Sequence, residues 1–119
     1  MIETTDFEDS ALLSAFQRRV YAACCRIPRG RVATYAALAA SIDCASPRAV
    51  GQALKRNPFA PDVPCHRVVA SDLSLGGFMG RRDGPEVLRK KRLLLEEGVG
   101  VDPQGRIVPE YLWSFKGDE

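Results

Sequence analysis

The segment VPCHRVV, residues 63–69, places Cys65 directly before His66, the only histidine of the chain. A cysteine thiol with its ordinary pKa of about 8.5 is only slightly ionised at neutral pH, so a nucleophilic cysteine needs a base or a positive field beside it. His66 is a candidate for that base. Neighbouring residues of an extended strand point to opposite faces, so proton transfer between them would require a bend or a bridging water. The residues alone fit a nucleophilic and a buried structural cysteine equally well.

The other three cysteines predict no metal site. Cys24 and Cys25 lie in an apolar helical stretch, and Cys44 stands alone. Structural zinc needs four Cys or His ligands at recognisable spacing, which this chain does not provide. We expect Cys24 and Cys25 to be small core or near-surface residues. A disulfide from Cys44 to either of them is expected only in a hyperthermophile.

Composition indicates one soluble globular domain. The 119 residues are 45% hydrophobic and 27% charged, with a net charge of +2, which is ordinary for a compact domain. Positive charge is concentrated in two stretches, residues 46–56 without any acid and residues 81–92 with six basic residues against two acids. Charge alone favours two solvated helix faces at these places.

The amino-terminal sequence MIETTDFEDS is acidic and lacks the basic region and apolar run of a secretory signal. It predicts an intracellular protein, in the cytoplasm of a prokaryote or the nucleus of a eukaryote. Its thiols are then expected to be reduced. No segment approaches the length and hydrophobicity of a membrane span.

Apolar periodicity and capping residues predict four helices. The first runs from Asp9 to Arg26, where apolar residues recur at spacings of three and four. Thr34 is expected to cap a short helix over residues 35–41, and Ser46 with Pro47 begins another that ends at Arg56. A last helix is predicted over residues 85–97, with an apolar face and a glycine stop made by the residues Leu88, Lys91, Leu94, Leu95 and Gly98.

The two short helices and the turn between them are typical of a helix-turn-helix, in which the second helix lies against DNA. Many all-helical cores contain such a pair, so this signal alone is weak. The tail GRIVPEYLW is expected to pack as an extended segment, with Tyr111 and Trp113 covering the core.

Four motifs occur in an order that resembles the active domain of the O6-alkylguanine-DNA alkyltransferases. They are TYxxLA at 34–39, RAVGxAL at 48–54, NP at 57–58 and PCHRV at 64–68, within a match that runs from Phe16 to Gly98. The resemblance implies a mainly α fold with short strands, a winged-helix-like helix-turn-helix domain that carries the active-site cysteine. Residues 1–119 would form this single domain, with 99–119 as a carboxy-terminal extension and without the family's usual amino-terminal domain.

The resemblance also implies a single-turnover DNA repair reaction. Cys65 would accept the alkyl group from O6 of guanine and would not be regenerated. His66 would take the thiol proton through a water, oriented by Glu97. Asn57 would brace the turn that carries the active-site segment, and Tyr35 would offer its hydroxyl to N3 of the departing guanine.

The partner that the resemblance implies is double-stranded DNA containing O6-alkylguanine, bound through the minor groove by a monomer. The target base must leave the stack, and Arg48 matches the family's arginine that fills the gap. The small residues Ala49 and Gly51 would allow close approach to the DNA backbone, as would Ala53. Lys55 and Arg56 would contact phosphates, although solubility alone explains their charge. No cofactor and no metal are implied.

The pocket for the flipped base would be formed by backbone groups at Cys65 and Val68 and by the loop containing Phe78, Met79 and Gly80. Two stretches depart from the family pattern. The residues FAPDV at 59–63 stand where the family is usually apolar, and Phe78 and Met79 stand where an aromatic followed by a small polar residue is common. These departures bear on which alkyl groups the pocket accepts.

Three other functions fit parts of the sequence. An alkyltransferase-like protein binds the lesion without transferring its alkyl group, and such proteins typically have tryptophan at the position of Cys65, so the cysteine favours transfer. A helix-turn-helix regulator with an inert cysteine would need an operator and a dimer. A cysteine hydrolase would need an oxyanion hole and a separate histidine, for which the sequence offers no motif.

Overall fold

The computed structural model describes residues 13–75 and 85–115. Within them the chain forms, in sequence order, helix α1 (Ala15–Arg26), strand β1 (Ala33–Thr34), helix α2 (Tyr35–Ser41), helix α3 (Pro47–Lys55), strand β2 (Val68–Val69) and helix α4 (Pro85–Glu96). Two short 3₁₀ turns occur at Cys65–Arg67 and Pro109–Tyr111. The predicted fold class, mainly α with short strands, is confirmed.

Helix α1 begins later than the apolar pattern predicted. Leu13 and Ser14 are not helical, so the predicted start at Asp9 is wrong. Ser14 is the N-cap of α1, because it forms a capping box with Gln17. Its Oγ accepts from Gln17 N at 3.0 Å, and its own N donates to Gln17 Oε1 at 2.9 Å. Apolar periodicity carried no information about this cap.

The predicted caps of α2 and α3 are confirmed. Thr34 Oγ1 accepts from Ala37 N at 3.0 Å, and Ser46 Oγ accepts from Ala49 N at 3.1 Å. Between the helices, Asp43 adopts a positive φ of 57°, so the chain turns sharply and the two helices pack against each other. Helix α3 ends one residue early, with Arg56 as its C-cap.

The face of α4 predicted from Leu88, Lys91, Leu94 and Leu95 is only partly the buried one, since Leu94 alone of the four is buried. Leu88 is 67% exposed and Leu95 is 51% exposed, whereas Lys90 is fully buried and lies on the same side as Leu94. Lysine is almost never fully buried without a partner. The apolar pattern therefore predicted the wrong orientation of α4 about its own axis. The predicted glycine stop is confirmed, because Gly98 has a φ of +85°.

A short parallel sheet brings two distant segments together. Ala33 of β1 is opposite Val68 of β2, and Thr34 is opposite Val69. The start of α2 therefore lies next to the residues that follow Cys65. In the carboxy-terminal segment, Leu112 forms an isolated bridge with Val32, just before β1. The tail is therefore extended at this bridge, as expected, but it is interrupted by the 3₁₀ turn at Pro109–Tyr111.

Two apolar clusters form the core. The larger unites α1, α2 and α3 with the segment around Cys65, and Tyr21 joins it by donating its hydroxyl to Ala53 O at 2.8 Å. The smaller cluster packs Leu94 with Val32, just before β1, and with Val69 of β2. Trp113 lies against the larger cluster and Tyr111 against the smaller one, so both cover the core as predicted.

All four cysteines are free thiols, with Cys24 buried and Cys25 half-buried as expected. In the part of the chain that the structure describes, no helix combines the length and the apolar character needed to cross a membrane. The same residues contain no cluster of ligands that could hold a metal ion.

Candidate active site

Cys65 lies on a 3₁₀ turn, not on an extended strand. The turn spans Cys65–Arg67, and Arg67 N donates to Pro64 O at 2.9 Å. The expectation that Cys65 and His66 point to opposite faces of a strand is therefore wrong. Both side chains are enclosed, each residue being 3% exposed. Bulk water thus has little access to the sulfur or to the imidazole ring.

Asn57 holds the loop that leads to this turn. Its buried amide donates from Nδ2 to Val63 O at 2.9 Å, and its Oδ1 accepts from Phe59 N at 2.8 Å. Cys65 N in turn donates to Val63 O at 2.8 Å. Asn57 thus lies where a bracing residue was expected. Burial raises the pKa of the Cys65 thiol, and the Asn57 side chain partly offsets that effect, so the resting sulfur is protonated at neutral pH.

His66 contacts the carboxylate of Glu97, just after the end of α4. His66 Nε2 lies 2.7 Å from Glu97 Oε2. Since the carboxylate accepts, Nε2 carries the hydrogen and Nδ1 has the free lone pair. His66 Nδ1 is buried and has no hydrogen-bond partner among the described residues. The geometry leaves a basic nitrogen enclosed beside the turn of Cys65.

Glu97 accepts from three directions. Arg67 donates from Nε to Oε1 at 3.0 Å and from Nη2 to Oε2 at 2.9 Å, while Gly30 N donates to Oε1 at 3.2 Å. Gly30 has a φ of +86°, which only glycine adopts readily, and a Cβ there would lie 3.2 Å from the Glu97 carbonyl oxygen. These contacts hold the carboxylate in one position and favour its ionised form.

These contacts determine the charge states of the pair. Burial alone would raise the pKa of Glu97, but the hydrogen bonds from Arg67, His66 and Gly30 outweigh it and lower the pKa to about 2. Burial lowers the pKa of His66, and the contact with Glu97 only partly opposes that effect. At neutral pH the site therefore contains an ionised Glu97 and a neutral His66 that can accept a proton.

Arg67 is a site residue that the sequence reasoning missed. Besides its contacts with Glu97, its Nη1 donates to Ile27 O at 2.9 Å, at the end of α1. Its position within PCHRV was visible in the sequence, but nothing in one sequence shows which carboxylate an arginine will meet. The fork of the guanidinium suits a carboxylate held at two points.

Tyr35 is the first residue of α2 and packs half-buried beside the larger core cluster. Burial raises its pKa to about 12, with a further contribution from the nearby Cys65 sulfur. The phenol is therefore protonated at neutral pH and is able to donate. Gly51 of α3 faces the ring, since a Cβ at that glycine would lie 4.0 Å from Tyr35 Cε1.

The outer face of α3 carries the predicted DNA-contacting residues. Arg48, Lys55 and Arg56 are exposed, and Ala49 and Gly51 are partly exposed. Ala53 is buried in the core, so the expectation that it would approach DNA is wrong. The helix turns its apolar side inward and leaves its basic residues on the surface.

Of the predicted pocket residues, Val68 is buried and its carbonyl accepts from Lys90 Nζ at 2.7 Å. Phe78, Met79 and Gly80 lie outside the described residues. Lys90 is a second residue near the site that the sequence reasoning missed, since a lysine inside the basic run RKKR at 89–92 is expected to be solvated.

The pair α2 and α3 thus forms a helix-turn-helix whose second helix exposes basic residues and whose core side packs in the same apolar cluster as Cys65. The chain belongs to the O6-methylguanine DNA methyltransferase family. Residues 15–99 match the family model described as 6-O-methylguanine DNA methyltransferase, DNA binding domain. The family resemblance drawn from the four sequence motifs is confirmed.

Relatives of this chain carry one name. It is 44% identical over 103 residues to a methylated-DNA–protein-cysteine methyltransferase of Methanothermobacter thermautotrophicus, covering 83% of this chain and 55% of the relative. It is 54% identical over 73 residues to the protein of that name from Pyrobaculum aerophilum, covering 61% of this chain and 45% of the relative. The chain spans about half the length of these curated relatives.

Two solved structures resemble the fold. Mycobacterium tuberculosis OGT in complex with DNA has a TM-score of 0.64 at 38% identity, over 71% of this chain and 50% of that one. Schizosaccharomyces pombe Atl1, in complex with damaged DNA containing O6-carboxymethylguanine, has a TM-score of 0.70 at 35% identity, over 86% of this chain and 97% of that one.

Proposed function

We propose that this chain repairs O6-alkylguanine in DNA by transferring the alkyl group to Cys65, once per molecule. The observation that carries the proposal is the enclosed triad of Cys65, His66 and Glu97, in which His66 Nε2 is held at 2.7 Å by an ionised carboxylate while Nδ1 has a free lone pair. The common name of the relatives supports the same reaction. A protein with this function works in the compartment that contains DNA.

The reaction requires deprotonation, because burial keeps the Cys65 thiol neutral at rest. His66 Nδ1 takes the S–H proton, through a water as the family resemblance implies, and the charge of the resulting imidazolium is stabilised by Glu97. The sulfur lone pair forms a bond to the alkyl carbon, and the bond from that carbon to O6 breaks with its electrons passing to guanine. Tyr35 donates a hydrogen bond at N3 of the leaving base, and the guanine anion takes up one proton, which balances the proton that His66 accepted from Cys65. The products are an S-alkylcysteine and unmodified guanine.

The exposed face of α3 is the proposed contact with duplex DNA. Arg48 would fill the space left by the flipped nucleotide, and Lys55 and Arg56 would contact phosphates. Ala49 and Gly51 leave room for a minor-groove approach. We propose that the protein acts as a monomer, since one flipped base occupies one site.

The base would enter a pocket beside Cys65 bounded by the backbone of Val68 and by Phe78, Met79 and Gly80. The proposed pocket rests on the family resemblance. The size of the alkyl group that fits depends on Phe78 and Met79, where the sequence departs from the family pattern.

The first prediction concerns Cys65 itself. Incubation with duplex DNA carrying O6-methylguanine is expected to add one methyl group to the intact protein and to return guanine, because the reaction regenerates no thiol. Intact-protein mass and peptide mapping measure this, with the methyl on Cys65 and none on Cys24, Cys25 or Cys44. The matched control is Cys65→Ser, which is expected to gain no mass, since a serine hydroxyl stays protonated near neutral pH.

One observation favours a second function, lesion binding without transfer. The structure of Atl1, in complex with damaged DNA containing O6-carboxymethylguanine, matches this chain with a TM-score of 0.70, against 0.64 for the OGT complex with DNA. If the protein binds O6-methylguanine DNA tightly under reducing conditions and gains no mass, the transfer proposal is wrong and a lesion sensor takes its place.

A further inference from the structure

Gln52 lies in the middle of the exposed side of α3. Val50 and Leu54 belong to the buried side of the same helix, whereas Arg48, Gln52 and Lys55 are exposed. Residues three and four apart lie above one another on a helix, so these three side chains form one outer stripe that faces away from the core. Gln52 is its neutral member, between two cations.

Contacts at both ends of α3 fix the direction of the outer stripe. Ser46 Oγ caps the first turn by accepting from Ala49 N at 3.1 Å, and Tyr21 donates its hydroxyl to Ala53 O at 2.8 Å near the other end. The helix cannot turn about its axis without breaking these bonds. Among the described residues, nothing hydrogen-bonds to the Gln52 amide, so its donor and its acceptor are both available to a ligand.

Charge makes duplex DNA a suitable partner for this side of the molecule. Residues 13–61 contain eight basic residues against the single acid Asp43, and such a surface attracts a polyanion. The cations Arg48 and Lys55 suit phosphates. An amide, which has donors on one atom and an acceptor on the other, suits the edge of a base.

The spacing of Arg48 and Gln52 sets which base pair the amide can reach. Four residues of a helix rise about 6 Å, and stacked base pairs are about 3.4 Å apart. With Arg48 in the space left by the flipped nucleotide, Gln52 lies within about two base pairs of the lesion. Gly51, the residue before it, has no side chain to hold the groove away, and the nearest neighbour of a Cβ there would be Tyr35 Cε1 at 4.0 Å.

We propose that Gln52 reads the minor-groove edge of a base pair beside the lesion and favours G·C there. The inference rests on the proposed function, because its ligand is the duplex that carries the lesion. Guanine presents its N2 amino group next to the acceptor N3, so Oε1 accepts from N2 while Nε2 donates to N3. An A·T pair presents only the acceptors N3 and O2. Oε1 then loses its hydration without gaining a partner.

The test compares duplexes that differ in one amino group of the minor groove. Each carries O6-methylguanine, flanked on both sides by two G·C, two A·T or two inosine·C pairs, with the purine in each strand in turn. Inosine keeps the major-groove edge of guanine but lacks its N2 amino group. Dissociation constants are measured at one salt concentration with a Cys65→Ser protein, in which no transfer interferes. We expect G·C flanks to bind about tenfold tighter than the other two, within the range of one bidentate base contact.

The matching variant is Gln52→Met in the same Cys65→Ser protein. Methionine has a similar length and helix propensity but neither of the two hydrogen-bonding groups of the amide, and a substitution at this exposed position leaves the fold intact. The preference for G·C over inosine·C should fall by about tenfold. Any effect of the weaker inosine·C pair on base extrusion is common to both proteins, so the difference between them isolates the amide.

Two control variants separate base reading from general affinity. Lys55→Met removes a cation from the same outer stripe, and it should weaken binding to all the duplexes alike without changing the preference. Gln104→Met removes an exposed amide outside α3 and should change neither affinity nor preference.

The ratio of the G·C and inosine·C affinities decides the proposal. An equal ratio with and without Gln52→Met would overturn it. Transfer by the protein with Cys65 intact is measured separately on the same duplexes. If that protein gains no mass on any of them while the preference still depends on Gln52, the proposed transfer is refuted and the base contact stands.

Discussion

The chemistry of the site depends on which of its side chains carry charge at rest. Burial opposes ionisation of both Cys65 and His66, lowering the pKa of the imidazole and raising that of the thiol. Proton transfer between them creates two charges in an enclosed space, which is unfavourable without compensation. Glu97 compensates the imidazolium, since it lies 2.7 Å from His66 Nε2. This fixed charge is in place before substrate binds, which reduces the cost of reorganisation.

Glu97→Gln tests this compensation. The glutamine keeps the size of the side chain but loses the negative charge that supports protonation of His66. Alkyl transfer is expected to slow by a factor of about 10², within the range usual for general-base assistance. Affinity for DNA should stay nearly unchanged, because Glu97 lies on the core side and not on the exposed face of α3. Single-turnover transfer and equilibrium DNA binding measure the two effects.

Glu96→Gln is the matched control for that variant. Glu96 is exposed and adjoins Glu97, and only its backbone carbonyl is engaged, by Arg29 Nη2 at 3.2 Å. Its substitution should leave the transfer rate unchanged. If Glu97→Gln transfers at the wild-type rate, Glu97 does not support the histidine.

Helix α3 has one side in the core and the other on the surface. Val50, Ala53 and Leu54 are buried, whereas Arg48 extends outward near the first turn. A flipped base leaves a gap in the stack that a planar side chain can fill. The position of Arg48 on a helix anchored by a Ser46 cap suits that use, because the cap fixes where the first turn begins.

Arg48→Ala is therefore expected to impair repair of a lesion in duplex DNA more than reaction with free O6-benzylguanine, by about tenfold or more. Only the duplex requires base extrusion, which costs a few kcal/mol. Rates of transfer from the two substrates measure the difference. Arg48→Lys keeps the charge but loses the planar guanidinium, so it separates stack filling from phosphate attraction. Equal losses on both substrates would count against a role in the stack.

The elements show what one sequence can and cannot predict. Local signals succeeded, because a cap such as Thr34 or Ser46 acts on amides three residues away. The orientation of α4 about its own axis was predicted wrongly, because Leu88 and Leu95 suggested a buried face. In the structure both leucines are exposed and Lys90 is buried. The 3₁₀ turn at Cys65 was also missed, since it is determined by contacts of Asn57 with Val63. The motif located Cys65 and His66, but only the fold showed that Arg67 binds Glu97 and that Lys90 binds the carbonyl of Val68.

Over the whole molecule, the contacts that orient His66 also join distant segments. Arg67 links the turn of Cys65 to Ile27 O at the end of α1, and Glu97 links the end of α4 to Gly30. The network therefore connects the first and last helices through the active-site segment. A change that weakens the proton acceptor should also weaken the fold.

The last prediction follows from that shared network and concerns stability in acid. The pKa of Glu97 is about 2 in the folded protein against an ordinary value of 4.5, and its side chain is only 5% exposed. Between these values the unfolded chain binds more protons, so stability present above about pH 4.5 is lost as the pH falls toward 2. The difference corresponds to about 3 kcal/mol. The lowered pKa of His66 acts in the same direction, beginning as the pH falls below its ordinary 6.5.

Urea unfolding at a series of pH values measures this loss as the change in the free energy of unfolding. Glu97→Gln should be less stable than the wild type at neutral pH, because Arg67 loses its anionic partner in a buried setting. It should also lose less stability between about pH 5 and about pH 2, because the group that titrates there is gone. Glu96→Gln should retain the wild-type acid dependence. An identical slope in Glu97→Gln and the wild type would mean that another carboxylate governs the acid transition, and would separate the stability of the fold from the ion pair that orients His66.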